Sequence, residues 1–257
     1  MIKLTNKISY VLGGNGLIGF KTASLLSDLG SKVIILDKVE KQGENNNHTF
    51  EFFDLGNLDN LSETLDTIFI KHGGPDIFIN SSYPRTADWA SNTFSKIDFS
   101  SFRENIDLHL NGFCISSKIV ADQMVLQNKK GSIVMVSSIY GYKAQDLTLY
   151  ENTDLAENMT YPVIKSGINH FAKQMASYYG PKGVRINTVL PSGLEGNIAG
   201  KNKNQDKEFV AKYTSKTPLR RMATPSDIAH GIAFLASDAS AFITGHDLKI
   251  DGGLSII

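Results

Sequence analysis

The stretch Gly13–Gly19, "GGNGLIG", follows the apolar run "ISYVL" and precedes "FKTASLLSDLG". Glycines three apart at a strand end remove the Cβ atoms that keep an anion from backbone N–H groups, and a following helix turns its positive end toward that anion. The loop therefore reads as a pyrophosphate cradle or as an ordinary tight turn. The choice depends on whether a strand and a helix flank it.

Outward from this loop, β-branched runs alternate with helical periodicity. Strand candidates are "SYVLG" near Tyr10, Lys32–Asp37, Phe50–Leu55, Asp76–Asn80, Ser132–Ser138, Val184–Leu190 and "DLKI" near Asp247. Helical patterns cover Gly16–Leu29, Leu58–Lys71, Phe102–Asn128, Pro162–Tyr179 and Pro225–Ala236. The alternation predicts an α/β fold, a doubly wound parallel sheet of about seven strands with helices on both faces. The Asn- and Lys-rich stretches Gly43–His48 and Gly200–Asp206 read as solvated loops.

A chain of 257 residues with 41% hydrophobic content suits one domain spanning 1–257. Lysine plus arginine equals aspartate plus glutamate at 26 each, so there is no basic field to attract nucleic acid. Cys114 is the single cysteine, which leaves no intrachain disulfide and suggests a buried structural thiol. The opening "MIKLTNKISYVLGG" has too short an apolar run for a signal peptide, and no stretch reaches the roughly 18 apolar residues of a membrane span. The expectation is a cytoplasmic protein with no membrane partner.

In this frame the glycine loop falls between the first strand and first helix, where such a sheet holds a pyrophosphate, with Gly13, Asn15, Gly16, Leu17, Ile18 and Gly19 as the cradle. Asp37 ends the second strand eighteen residues beyond Gly19 (37 less 19), a spacing that suits a carboxylate accepting both ribose hydroxyls of an adenosine. It would repel a 2′-phosphate, which favours NAD over NADP. A carboxylate capping a turn is the alternative, and Lys38 beside it could hold a phosphate.

"YPVIK" places Tyr161 and Lys165 four apart on one helix face, with Pro162 suited to the first turn. An ammonium near a phenol favours the phenolate and makes the tyrosine a usable acid or base. Tyr178 and Lys182 in "YYGPK" repeat the spacing, but Gly180 and Pro181 end the helix between them, so that pair reads as a terminus. "GSIVMVSSIYG" ends a strand with Ser137 and Ser138 at the ligand edge of the sheet.

With these residues in hand, the chain resembles the short-chain dehydrogenase/reductase family over almost its whole length. The match runs through the glycine loop, Asp54 and Leu55, Asn80, Ser138, Tyr161, Lys165, "LPSG" at Leu190–Gly193, and the ending "RMATPSDIAHGIAFLASDASAFITGHDLKIDGG". The resemblance implies NAD(P)(H)-dependent oxidoreduction of a carbonyl and alcohol pair, with no metal. Tyr161 would be the acid/base, Lys165 would hold the nicotinamide ribose and tune Tyr161, and Ser138 would orient the substrate oxygen. Asp54 and Leu55 would lie at the adenine, and Asn80, Pro191 and Gly193 would line the cofactor. It also implies a homo-oligomer, a tetramer or dimer, with "FLASDASAFITG" near a neighbouring copy.

The departures from the family pattern are specific. Leu12 stands where a threonine is usual, and "NNAG" reads "NSSY", leaving Asn80 alone as the matched position. The family's catalytic asparagine falls on His109 in "HLNGF". His109 could relay protons, bind substrate or merely pack. Between Ser138 and Tyr161 lie roughly ten more residues than the family shows, an insertion at about 141–160 holding Asp146, Glu151, Asp154 and Glu157. These carboxylates either face the cleft, which suits hydroxyl-rich or amine-bearing substrates, or are solvated. Arg85 in "SSYPRTADW" either clamps a substrate phosphate or makes a surface salt bridge. The two inserts look most like oxidoreductases of flagellin glycosylation and nonulosonic (legionaminic) acid pathways, which implies a phosphorylated or nucleotide-linked amino sugar. A general reductase of carbonyls such as 3-oxoacyl thioesters and a non-catalytic NAD-binding module are the alternatives.

Overall fold

The computed structural model describes residues 2–41, 48–196 and 205–257. Seven parallel strands form one sheet in the order β3-β2-β1-β4-β5-β6-β7. They are β1 Ile8–Leu12, β2 Lys32–Asp37, β3 His48–Phe52, β4 Ile77–Asn80, β5 Ser132–Val136, β6 Arg185–Pro191 and β7 Asp247–Ile250. The helices between them are α1 Leu17–Asp28, α2 Leu61–His72, α3 Phe99–Asn105, α4 Gly112–Leu126, α5 Thr160–Tyr179, α6 Lys207–Lys216 and α7 Pro225–Ala236.

The burial pattern explains why the interior strands read as unbroken apolar runs. Every residue of β4 and β5 is buried, as are Val33–Leu36 of β2 and Ile186–Pro191 of β6, because helices cover both faces. Each fully buried Ile, Val or Leu there contributes about 1.5–3 kcal/mol by leaving water. The edge strands β3 and β7 are only partly covered. One core, around Tyr10, Leu36, Phe78 and Phe113, lies under α2, α4 and α5; the other, around Val11, Ile35 and Val134, lies under α1 and α7.

Three expectations change. The third strand spans His48–Phe52, ending earlier than Leu55, so Leu55 lies beyond it with its side chain in the core against Gly112. The long helix runs unbroken from Phe99 to Leu126 but carries a π-helical turn at Ile106–Asn111 between its α-helical parts α3 and α4. A helix over Lys207–Lys216, expected as neither strand nor helix, follows the predicted loop; Asp206 ends that loop as the helix cap, accepting from Phe209 N–H at 2.9 Å. Residues 43–47 and 200–204 of the two predicted loops lie outside the described residues.

Candidate active site

The chain order reverses between β1 and β4, so the loops leaving these strands meet at the crevice above the carboxyl ends of the sheet. Their approach is close enough to require glycine. Gly13 adopts φ +72°, and a Cβ there would sit 2.6 Å from the Ser82 backbone, while a Cβ on Gly19 would come within 2.1 Å of the Gly13 carbonyl. No side chain caps α1 at Gly16, so the first-turn N–H groups of Leu17, Ile18 and Gly19 remain available to an anion. The cradle therefore fits a dinucleotide pyrophosphate.

Asp37 braces this cradle from the end of β2. It accepts from Asn15 N–H at 2.9 Å and from Val39 N–H at 3.3 Å, while the Asn15 amide donates to the Val39 carbonyl. Lys38 turns instead to Asp54, at 2.9 Å. Partial burial raises the Asp54 carboxyl, but hydrogen bonds from Lys38 and Gly56 N–H outweigh it and hold the group below the usual carboxylate range. Asn80 is fully buried and secures the loop after β4, accepting from the Ser82 hydroxyl at 2.7 Å and donating to Ser116 at 3.3 Å. Pro191 ends β6 against Ile250, and Gly193 N–H donates to the Tyr213 hydroxyl at 2.6 Å.

Ser138, Tyr161 and Lys165 converge beside this crevice. Ser138 follows β5 and accepts from Tyr140 N–H at 3.1 Å. Tyr161 enters from the first turn of α5, where Asn158 accepts its backbone N–H at 2.8 Å and donates to the Trp89 carbonyl at 2.9 Å. Burial pushes the Tyr161 phenol up to about 12, against a downward pull from the Ser138 hydroxyl. This differs from the expected lowering by Lys165. The Lys165 amine is committed elsewhere, donating to the Val136 carbonyl at 3.1 Å and lying 3.2 Å from His109 Nε2. Burial, at 2% exposure, pushes Lys165 down to about 7.

His109 projects from the π-helical turn into the core and is fully buried. Burial, then the nearby Lys165 charge, drives its pKa well below the ordinary histidine value, so the ring is neutral. With Nε2 facing an N–H donor, the ring proton belongs on Nδ1, which has no hydrogen-bond partner. The Tyr83 ring stands edge-on to His109 at 5.3 Å and to Tyr161 at 5.9 Å, and Trp89 is 6.2 Å from Tyr161.

Arg85 makes no salt bridge among the described residues; its guanidinium lies over the Tyr83 ring, 5.3 Å from the centroid. Of the insertion's four carboxylates, two have partners and two are exposed. Asp146 pairs with Lys216 at 2.5 Å, Glu157 accepts from Phe94 N–H at 3.2 Å, and Glu151 and Asp154 are exposed. What the insertion sends inward is Gln145, Leu149, Tyr150 and Asn158. The second tyrosine–lysine pair is a helix terminus as expected, although the Lys182 ammonium folds over the Tyr178 ring at 3.5 Å. Cys114 is a partly buried free thiol whose pKa burial pushes up to about 12.

Sequence reasoning missed Tyr83, Tyr140, Tyr150, Asn158 and Tyr213 as residues of the cleft. A signal existed for Tyr213: Asp206, Phe209 and Tyr213 follow a cap and an i, i+4 apolar pair. Tyr150 and Asn158 lie in an insertion without periodicity, so only the tertiary fold brings them in.

This cradle and Ser-Tyr-Lys group define a nicotinamide-dependent oxidoreductase fold, and the chain belongs to the short-chain dehydrogenase/reductase family. Residues 15–255 match the family model described as Enoyl-(Acyl carrier protein) reductase. A Campylobacter coli protein described as post-translational flagellin modification protein A is 30% identical, the alignment covering 97% of this chain and 98% of that one. A Rickettsia conorii 3-oxoacyl-[acyl-carrier-protein] reductase FabG is 28% identical over the full length of both. A short-chain dehydrogenase from Leptospira borgpetersenii, crystallised with NAD+, superposes with a TM-score of 0.87 at 30% identity, covering 98% of this chain and 94% of that one. The chain is thus an oxidoreductase of this family. No helix among the described residues is long and apolar enough to cross a membrane.

Proposed function

We propose that the enzyme uses NAD(H) in preference to NADP(H), and that its substrate is a phosphorylated or nucleotide-linked amino sugar of a surface-glycan or flagellin-modification pathway. Asp37 supports the cofactor choice, since its carboxylate borders the cradle and Lys38 is drawn away to Asp54. Arg85 carries the substrate reading. A guanidinium over the Tyr83 ring, with no carboxylate partner among the described residues, is suited to a phosphate, which its planar fork binds bidentately. The flagellin-modification relative points the same way.

Bound nicotinamide would supply or accept the hydride. Tyr161, protonated at neutral pH, donates its phenolic proton to the substrate oxygen during reduction and recovers it during oxidation. Ser138 steadies that oxygen by hydrogen bonding. Lys165 offers its charge to the phenolate as it forms, and His109 Nε2 and the Val136 carbonyl hold the lysine in place. Thr160 and Asn158 fix the start of α5, through Asn92 and the Trp89 carbonyl, so that Tyr161 keeps its position.

The test is a panel of phospho-sugars, nucleotide-sugars and acyl thioesters, followed with NAD+ and NADH by absorbance of the reduced nicotinamide. Turnover confined to acyl thioesters would replace this reading by the 3-oxoacyl reductase that the Rickettsia relative suggests. We also read the protein as a cytoplasmic homo-oligomer, tetramer or dimer. Phe242, fully exposed within "FLASDASAFITG", suits a buried contact between copies, and light scattering in solution tests it.

A further inference from the structure

A groove of about 520 Å³ opens at the amino ends of the strands, the opposite end of the sheet from the glycine cradle. That volume suits a small organic molecule. The segment before β1, the starts of β4, β5 and β6, and the turn between α7 and β7 bound it. Ser132 lies in the groove and Ser138 at the active site, and the extended chain between them, at about 3.3 Å per residue, sets the two roughly 20 Å apart.

The walls are tied together by buried hydrogen bonds. The Arg185 guanidinium donates to the carbonyls of Leu235 at 2.9 Å, Ser237 at 3.1 Å and Ile243 at 3.3 Å, and to the Ser240 hydroxyl at 3.0 Å. Ser132, itself buried, donates to the same Leu235 carbonyl at 2.9 Å. The start of β6 is thereby fastened to the turn after α7, and a ligand would meet a groove already formed.

Its charge is unbalanced. Arg185 is half-buried and none of its four partners is a carboxylate; burial pulls its pKa down, and the nearby Asp238 charge offsets this only in part. Lys3, Lys7 and Lys130 line the same groove and make no ion pair with a described residue. Two carboxylates are present as well. Asp76 is engaged, one oxygen accepting Ile8 N–H at 2.8 Å and the other lying 3.5 Å from the Lys129 amine. Asp238 is exposed in the turn after α7. Four cations thus stand against two carboxylates, in a chain whose net charge is zero.

We propose that this groove binds a small phosphorylated molecule, with Lys3, Lys7 and Lys130 on its phosphoryl oxygens and Arg185 supplying a fixed positive field. A phosphate dianion offers several oxygens to several ammoniums at once, and a concave wall of one sign concentrates such an anion. The site is separate from Arg85 and from the sugar reading, and it stands or falls without them.

Inorganic pyrophosphate is titrated by calorimetry into protein saturated with NADH, so that the glycine cradle is filled, and into Arg85→Ala in the same way. A saturable site should appear in both, with an affinity that falls as NaCl rises from about 0.05 to 0.2 M. Lys7→Gln/Lys130→Gln should weaken it about 3- to 30-fold, the range for two partly screened charge contacts. Lys96→Gln/Lys207→Gln removes the same charge from exposed positions elsewhere and should leave binding unchanged. A second measurement needs no substitution: pyrophosphate should slow acetylation of Lys3, Lys7 and Lys130 by an N-hydroxysuccinimide ester, read by peptide mass mapping, and spare Lys96 and Lys207. The proposal is overturned by the absence of saturable binding to the NADH complex, by binding that Arg85→Ala abolishes, by equal weakening in the two double variants, or by protection that does not distinguish the groove lysines. A neighbouring copy seated over the groove through Phe242 would give the first of these results.

Discussion

Replacing Lys165 by methionine should stabilise the NAD-free protein while abolishing its activity, and the gain should depend on pH. In the fold the amine titrates near 7, against 10.5 in an ordinary lysine. Between those values the unfolded chain holds a proton that the folded chain has shed, so raising the pH favours the folded state. Below pH 7 both states are protonated, and the full cost of burying the charge is present. One pH unit is worth about 1.4 kcal/mol, and with half-protonation of the folded state at pH 7, roughly 2 kcal/mol of that cost disappears by pH 9. Methionine keeps an unbranched side chain but carries no charge, so it gives up the ammonium's place over the Phe113 ring. Its stability advantage at pH 7, offset in part by the partners it leaves at Val136 and His109, should therefore shrink by about 2 kcal/mol at pH 9. Urea unfolding of both proteins across this range measures the difference, since every other titrating group is common to the two. An advantage that stays flat or grows from pH 7 to 9 would refute the buried-ammonium reasoning.

Calorimetry should show NAD(H) binding at least about tenfold tighter than NADP(H), with Asp37→Ser narrowing the gap, because charge repulsion and lost ribose hydrogen bonds act together; equal affinities in the wild type would reject the role. Tyr161→Phe should lower kcat by roughly 10² or more with NAD affinity intact, and near-normal turnover would assign the proton to another group. Arg85→Ala should raise KM for a phosphorylated substrate by about 1.5–3 kcal/mol and change that of an unphosphorylated analogue much less. Asn158→Ala frees both Tyr161 N–H and the Trp89 carbonyl, and should lower Tm together with kcat; rescue by Asn158→Asp, which can still cap α5, would separate capping from the Trp89 contact.

The fold was readable because interior parallel strands cannot hide their composition. Val33–Leu36 and Ile133–Val136 need apolar side chains on both faces, and the glycine loop admits no side chain at Gly19. The Ser138, Tyr161 and Lys165 positions were readable for a related reason, since strand ends and helix faces fix them locally. The cleft wall was not. Tyr150 and Asn158 come from a segment without regular spacing, and they meet partners far away in the chain, Tyr150 at Phe209 and Asn158 at Trp89, the latter 69 residues off. The state of Lys165 was equally hidden. A four-residue spacing shows that it shares a face with Tyr161, but not that His109 would claim its amine from a π-helical turn.

The insertion and α6 are joined by charge as well as by rings. Lys216 reaches Asp146 and Thr148, Lys212 reaches the Glu151 carbonyl, and Asp154 N–H donates to Asp206. Neither segment supplies the glycine cradle or a member of the Ser-Tyr-Lys group, so the two form one clipped-together unit beside it, which touches that group through Asn158 and Thr160. Transplanting residues 141–160 into a relative without residues 206–216 would strand Asp146 and Tyr150 without Lys216 and Phe209, whereas moving both segments together would keep those pairs.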